Sequence, residues 1–388
     1  MAVADGVLVE RASGAAVARP RPNGVAIVDG AGGPLMRWFL DGVSAELGAR
    51  GYPVQHEDRR DAAIDPHVRV VIHTVDTRQP RSFRRRSQEI FVVGVAEVPD
   101  RPDDMLQAGY PLLVRSLSNV FMPIADNGHG PEAYLITMEQ GFHRIGHEFD
   151  DASFFADVVD RLVPLAESRL VIDNEFVPDL PPELWQGNEQ TRALSRAGVR
   201  LAELDLLPAP WPIEELLSPD ELRHVQRLFG IGGLSYGNAS ARHDGDTFWM
   251  SASGVDKSHL QEIGREILLV TGFDPLRGVI RLSVPPGVKP RRVSVDAIEH
   301  LTIYREHPEV GAILHVHGWV AGATSTEAVY PCGTQELASE VAELVRRAPD
   351  PGHAVIGLKN HGLTITGESL DEILERVGAQ IVRRVPMS

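Results

Sequence analysis

Apolar residues in the first half of the chain recur with the spacing of short buried strands and of amphipathic helices. Runs rich in Val and Ile predict strands at 24–30, 68–76 and 89–98. A helical period over 34–51 that ends at a glycine predicts a helix after the first strand. The same pattern predicts, further along, a helix within 103–120, a strand at 133–138 and a helix over 154–171 in which Pro164 could introduce a break. Because strands mixed with helices are typical of an α/β domain, we assign residues 1–176 to one.

Three short segments of this half could carry chemistry. GAGGP at 30–34 follows a strand, as a phosphate-binding turn would, but it lacks the GxGxxG spacing and the P-loop lysine. RQPRSFRRRS at 78–87 holds five arginines and either grips an anionic group or forms a solvated loop. If EQGFHRIGHEFDD is a helix, Glu139, His143 and His147 share one face and could bind a second metal. Partly exposed polar residues are the alternative reading of that segment.

Proline marks a boundary near the middle of the chain, where it clusters in VPDLPPELW and LPAPWPIEE. Because proline removes a backbone donor and favours extended chain, we predict a Pro-rich linker around a short helix over 177–212. A helix start follows, with Ser218 at the N-cap, Pro219 at the first helical position and Glu221 placed to close a capping box. We therefore place a second domain at 213–388.

Composition narrows the class of partner. Hydrophobic residues make up 43% of the 388 residues, enough for a packed core. The formal net charge of −16 argues against nucleic acid and anionic membranes, which need a basic surface. The single cysteine, Cys332, permits no intrachain disulfide, and the sequence shows no secretory signal and no apolar run that could span a bilayer. We expect a soluble cytoplasmic protein that acts on a small molecule.

The segment AILHVHGW places two histidines in an apolar strand. Side chains alternate across a strand, so His315 and His317 point to the same face. Two imidazoles in a dry core are costly unless something accepts their lone pairs, and a divalent metal is one such group. An ordinary pair of strand histidines is the alternative.

Six short motifs follow one another in the second half of the chain. They are GNAS, SASGVDK, a carboxylate four residues before a histidine in VSVDAIEH, HVH, a Gly-Thr before a helix, and NHG followed by a further glycine. In this order residues 218–372 resemble the class II aldolase/adducin family. The resemblance implies a C-terminal α/β/α domain with a central mixed or antiparallel sheet, and it leaves the first 200 residues unexplained.

The resemblance implies a divalent metal, usually zinc, held by His315, His317 and His361. The chemistry agrees independently, because three neutral imidazoles suit Zn²⁺ and leave a coordination position open for substrate or water. Mn²⁺ and Co²⁺ would be accepted by the same three ligands.

The resemblance also places an acid or base at Asp296, where aldolases of the family usually carry Glu and 4-epimerases carry Asp. A carboxylate near a dication can remove a proton α to a carbonyl or hydroxyl. The alternative is an N-cap for the helix that begins at 297, because Asp is favoured there. Glu299 is a weaker candidate, because its spacing does not match.

An anion site is implied by the same resemblance. Its members would be Gly237, Asn238, Ser253, Gly254 and Ser294. Val295 stands where sugar-phosphate members carry a second serine, so one hydroxyl donor is missing and a phosphorylated substrate is in doubt. Lys257, or Arg291 and Arg292, could supply positive charge instead. The alternative is that these glycines and serines simply form tight turns.

Together these features imply a metal-dependent lyase of the class II aldolase type. It would cleave or form a C–C bond in a small hydroxylated carbonyl or sugar-phosphate-like substrate through a metal-stabilised enediolate. A sugar-phosphate 4-epimerase and a metal-dependent decarboxylase of a hydroxy or aromatic acid would use the same site. An adducin-like non-catalytic binding protein is the alternative from another class, although this chain retains all three histidines. The family also implies a homotetramer.

Overall fold

Two β-sheets organise the chain. The computed structural model describes residues 23–386 apart from 29–31, 60–62, 86, 88–89, 99–101, 127, 129, 138–140, 208–214, 216 and 224–235. One sheet has seven strands and the other has nine. The predicted class, mixed α/β, is confirmed. None of the helices within the described ranges combines the length and apolar character that crossing a bilayer requires.

The N-terminal sheet is mostly parallel. Its strands are β1 Gly24–Val28, β2 Val54–Glu57, β3 Val68–Thr74, β4 Phe91–Glu97, β5 Val120–Asp126, β6 Pro131–Thr137 and β7 Gly141–Gly146. They lie in the order β2-β1-β3-β4-β5-β6-β7, and only β6 and β7 run antiparallel to their neighbours. Its helices are α1 Pro34–Ala49, α2 Met105–Ser116 and α3 Asp151–Glu167. Strands β3 and β4 are buried almost throughout, as the unbroken Val and Ile runs predict for parallel strands covered on both faces.

Two expectations for this sheet need correction. Helix α3 continues through Pro164 instead of breaking there. Residues 141–146 form strand β7, which pairs with β6, so this segment is not the helix on which the shared face of Glu139, His143 and His147 depended. Backbone hydrogen bonds to β6 determine the conformation of this segment. The i, i+4 spacing of its polar residues did not indicate a strand. Glu139 lies outside the described residues.

The C-terminal sheet is mostly antiparallel. Its strands are β8 Asp173–Val177, β9 Asn238–Asp244, β10 Thr247–Ser251, β11 Ile267–Asp274, β12 Val279–Ser283, β13 Ala312–Val316, β14 Thr324–Ser325, β15 Val355–Leu358 and β16 Gly362–Gly367. The order is β14-β15-β16-β13-β9-β10-β11-β12-β8, with parallel pairs only at β14–β15 and β12–β8. Its helices are α4 Glu189–Glu203, α5 Ala297–Glu306, α6 Gln335–Arg347 and α7 Leu370–Val377. Helices pack in pairs, α4 with α7 and α5 with α6, against this sheet, which confirms the predicted mixed or antiparallel domain.

The segment 177–212, predicted as a linker around a short helix, contains helix α4, which packs into the C-terminal core. Strand β8 pairs in parallel with β12, and α4 buries Leu194, Ala197 and Leu201 in the same core as the C-terminal sheet. Pro178, Pro181 and Pro182 lie between these elements, and Pro182 begins a short 3₁₀ turn, Pro182–Leu184, where a missing N–H costs little. Residues 189–203 therefore fold as an amphipathic helix packed on the core, although the sequence around them is rich in proline.

The predicted capping box at the next helix start is confirmed. The Ser218 amide donates to the Glu221 carboxylate at 2.9 Å, and the Glu221 amide donates to the Ser218 hydroxyl at 3.4 Å. Glu221 also pairs with Arg115 of α2, and Leu217 is buried against that helix. This segment therefore packs on the N-terminal sheet.

Candidate metal centre

Three histidines converge at the end of β13. His315 lies in β13, His317 follows the strand directly, and His361 lies on the turn between β15 and β16. Because β16 runs antiparallel to β13, with Thr364 opposite His315, the turn carries His361 back over the other two. Asn360 has φ of 58°, a conformation that asparagine tolerates, and it shapes this turn. One ligand atom from each histidine lies within 4.8 Å of the others, and all three side chains are buried.

The protonation of these rings suits a divalent ion. His315 Nδ1 lies 3.0 Å from the Leu363 carbonyl oxygen, so this nitrogen donates and Nε2 carries the lone pair. Burial lowers the pKa of His315, and burial with the neighbouring histidines holds the pKa of His317 and of His361 well below 6.5. His315 Nε2 and His317 Nδ1 are buried and have no partner among the described residues. Three neutral imidazoles so placed could therefore hold a metal ion.

Cys332 is a neighbour that sequence reasoning missed. Its Sγ atom lies 3.3 Å from Nε2 and 3.4 Å from Nδ1 of His361. Because a thiol makes only weak hydrogen bonds, this is mainly a packing contact between Cys332 and the His361 ring. The residue sits in the loop before the Gly-Thr motif, and only the fold brings that loop to the NHG turn.

Asp296 stands beside the metal-binding strand. Its backbone starts α5, where the His300 amide donates to the Asp296 carbonyl at 3.1 Å, but its side chain makes no cap bond. Instead Oδ2 accepts a hydrogen bond of 2.6 Å from Asn238 Nδ2, and Asn238 pairs with His315 across β9 and β13. The side chain is buried, and Oδ1 has no partner among the described residues. The capping alternative therefore holds for the backbone only, and the carboxylate is available to the site.

Two further ionisable groups lie near Asp296. Lys257, on a short 3₁₀ turn, is 5% exposed, and burial lowers its pKa to about 8 although the charge of Asp296 opposes that shift. Glu299, on the first turn of α5, is also buried, and burial together with the charge of Asp296 raises its pKa to about 8. The Thr364 hydroxyl donates to Glu299 Oε1 at 2.6 Å. Sequence reasoning ranked Glu299 low on motif spacing, whereas its i, i+3 relation to Asp296 indicated a shared side of the helix.

The predicted anion-site residues lie on segments that backbone contacts hold next to one another. A Cβ on Gly237, whose φ is +69°, would lie 2.4 Å from the His315 carbonyl oxygen, so only glycine permits this approach of β9 to β13. The Ser253 amide donates to the Arg292 carbonyl at 2.8 Å, and the Ser294 amide donates to the Ser251 carbonyl at 3.2 Å. The segment that contains Gly254 therefore runs beside the segment that leads into α5.

Two side chains of this anion site differ from simple anion donors. The Asn238 amide is committed to Asp296, as its 2.6 Å bond shows. Val295 is 37% exposed where the second serine of the family motif would stand. The binding roles of Gly237, Asn238, Ser253, Gly254, Ser294 and Lys257 stay predictions.

The second metal site suggested in the first half includes Glu139, which lies outside the described residues, and its two histidines have other partners. His143 Nε2 lies 3.0 Å from Arg161 Nη2, and burial, with the charges of Arg161 and Lys359, lowers its pKa to about 4. His147 pairs instead with Asp151 at 2.7 Å. Over the described ranges, only the three histidines at the end of β13 bring three such ligands within 4.8 Å of one another.

A cavity of about 550 Å³ lies away from these ligands, between β7, α3 and loops of the C-terminal sheet. Its lining mixes both signs of charge, with Arg161 and Lys359 facing Asp157 and Glu327. This mixture favours no single class of ligand.

Comparison with known proteins identifies the class of the C-terminal part. Residues 223–379 match the model of the class II aldolase and adducin N-terminal domain family, so this part of the chain is a class II aldolase/adducin domain. Among solved structures, YgbL from Escherichia coli, described as a candidate aldolase, epimerase or decarboxylase, is 17% identical. That match covers 49% of this chain and 84% of the YgbL chain with a TM-score of 0.32, which supports no argument about activity. No curated protein matches the chain.

Proposed function

We propose that the protein is a metal-dependent lyase that cleaves or forms a C–C bond in a small hydroxylated carbonyl substrate. The observation that carries the proposal is the convergence of three buried, neutral histidines beside the buried carboxylate of Asp296. A divalent ion held there, Zn²⁺ or else Mn²⁺ or Co²⁺, would act as a Lewis acid that stabilises negative charge on substrate oxygens.

Asp296 is the proton-transfer group of this proposal. Asn238 binds Oδ2 at 2.6 Å, and Oδ1 is buried without a partner among the described residues. Because the amide fixes one oxygen, the other is presented in a single direction, as a general base requires.

The anionic end of the substrate would bind beside Lys257. This lysine is buried, and its charge acts on Asp296 and on the two histidines of the HVH motif. A single ammonium with the hydroxyls of Ser253 and Ser294 offers fewer donors than a phosphate uses, and Val295 adds none. These residues favour a small hydroxy acid over a sugar phosphate.

Metal content tests the proposal first. Elemental analysis of the wild type should find about one divalent ion per chain after growth with Zn²⁺, and His317→Ala should lose it, because two imidazoles remain. His259→Ala is the matched control, since His259 is an exposed histidine paired with Asp256. A wild type that stays metal-free after Zn²⁺ is added contradicts the proposal and favours an adducin-like binding protein.

Product analysis then separates the three reactions open to this site. Release of an aldehyde from a hydroxy acid is the expected result. An epimer of the substrate would identify a 4-epimerase, and carbon dioxide would identify a decarboxylase. Either of those products would overturn the aldolase reading while leaving the metal centre intact.

A further inference from the structure

Two carboxyl groups are buried on the same turn of α5. Asp296 is 5% exposed and Glu299 is 2% exposed. Residues three apart on a helix have Cβ atoms about 5–6 Å from each other. Each carboxyl group has one oxygen that accepts a hydrogen bond, from Asn238 for Asp296 and from Thr364 for Glu299. The second oxygen of each, Asp296 Oδ1 and Glu299 Oε2, is buried without a partner among the described residues.

Two negative charges so close together in a dry site are not sustained, so one group of such a pair keeps a proton. The neighbouring residues determine which of the two carboxyl groups keeps the proton. Asp296 accepts the Asn238 amide and feels the charge of Lys257, so negative charge is stabilised there. Glu299 receives only the Thr364 hydroxyl, and burial with the charge of Asp296 raises its pKa to about 8.

We propose that Glu299 holds a proton at neutral pH and directs it toward Asp296, so that the two groups act as a carboxylic acid–carboxylate pair. Glu299 is then a positioning residue, because it acts on the reaction through Asp296. Its bond would give Asp296 Oδ1 a defined orientation and would keep a single negative charge beside the neutral histidines. The role in turnover rests on the proposed lyase function, whereas the proton on Glu299 does not.

Infrared spectroscopy reads this proton directly. The difference between wild type and Glu299→Gln at pH 7, taken on metal-free and on Zn²⁺-loaded protein, should show the carbonyl stretch of one carboxylic acid. That band should convert to carboxylate bands between pH 7 and pH 9. Glu306→Gln is the matched control, because Glu306 is an exposed glutamate on the same helix that pairs with Arg346. A difference spectrum with carboxylate bands alone at pH 7 overturns the proposal.

Unfolding in urea gives an independent measure. Glu299 keeps its proton when folded and releases it when unfolded, so the wild type should lose stability relative to Glu299→Gln as the pH rises from about 4.5 to about 8. The difference should approach a tenfold change in the unfolding constant for each pH unit, which is the linkage of one proton. Stability curves that stay parallel over this range contradict the proposal.

A second variant keeps the test open if Glu299→Gln does not fold. Thr364→Val removes the hydroxyl that favours ionised Glu299, so the carboxylic acid band should persist to higher pH, and Thr364→Ser should restore the original titration. An unchanged titration in Thr364→Val contradicts the proposal. In an active enzyme, Glu299→Gln should also lose the alkaline limb of the kcat profile. Failure to find metal or turnover would refute the lyase function and leave the infrared result standing.

Discussion

Among the residues that the structure describes, each sheet is associated with an almost fully buried glutamate, and the two glutamates differ in their hydrogen bonding. Glu132 of β6 and Glu299 of α5 are both 2% exposed. Glu132 accepts hydrogen bonds on both oxygens, from Arg144 Nε at 3.0 Å and from the Tyr134 hydroxyl at 2.5 Å. Glu299 has a donor for one oxygen only. Buried polar groups in proteins are normally satisfied. Glu132 follows this rule, whereas Glu299, to which the proposal above assigns a shared proton, does not.

The contrast extends to the surroundings of Glu299. Unpartnered buried atoms gather around β13 and the start of α5, within the residues that the structure describes. They are Asn238 Oδ1, Asp296 Oδ1, Glu299 Oε2, His315 Nε2 and His317 Nδ1. Such a concentration is unstable unless a ligand, an ion or a shared proton completes it.

Replacing the base of the proposed reaction should have the largest effect. Asp296→Asn keeps the shape of the side chain but removes its capacity to accept a proton, so kcat should fall by about 10²–10⁴-fold. Metal content should stay at the wild-type level, because the three histidines are untouched. Full activity in this variant would show that its buried carboxylate, like that of Glu132, serves the fold alone.

Matched substitutions of the two glutamates should change stability in opposite directions. Glu132→Gln weakens bonds to Arg144 and Tyr134 and should cost about 1.5–3 kcal/mol in the free energy of unfolding, the range for hydrogen bonds to charged groups. Glu299→Gln removes a proton that the wild type must hold when folded and releases when unfolded, so it should gain stability over the wild type by about 1.4 kcal/mol per pH unit between about pH 4.5 and pH 8. Urea unfolding of both variants and of the wild type measures the direction of each change in the free energy of unfolding. Equal destabilisation would erase the distinction between the two regions.

Acid should weaken the C-terminal sheet before the N-terminal one. Burial lowers the pKa of the three metal-site histidines and lowers that of His300 to about 3. Such histidines gain a proton on unfolding, so the stability they confer is full above pH 6.5 and declines below it, by about 1.4 kcal/mol per pH unit for each ring. Hydrogen exchange should show protection lost in β13 and β16 at a higher pH than in β4, and Zn²⁺ should delay that loss. Simultaneous loss in both sheets would contradict this order.

The sequence was most informative where local pattern decides the structure. Period-two spacing placed His315 and His317 on one face, and the NHG motif added His361 through the family resemblance. Pairing of β13 with β16 then joins residues more than forty positions apart, at 4.8 Å between the ring centroids of His315 and His361. The sequence therefore predicted that these three histidines lie together, but it did not predict the distances between them.

Long-range contacts account for what the sequence did not predict. The bond between Asn238 and Asp296 spans 58 positions, so nothing near Asp296 showed that its side chain would leave the helix cap. The burial of Glu299 depends on Thr364 of β16, which no helix pattern contains. The i, i+4 spacing of His143 and His147 left a helix open for this segment, whereas the pairing of β7 with β6 determines its conformation.

The position of strand β8 affects where the chain can be cut into fragments. The strand covers the outer edge of β12, and just before it the Val171 amide donates to the Gly333 carbonyl at 2.7 Å. A fragment that begins at residue 213 would leave β12 as a bare edge, with a row of unpaired backbone groups that can template association with other chains. Its insolubility would then say nothing about whether the C-terminal part folds. A cut near residue 168 keeps this edge sealed and is where the two halves should be separated.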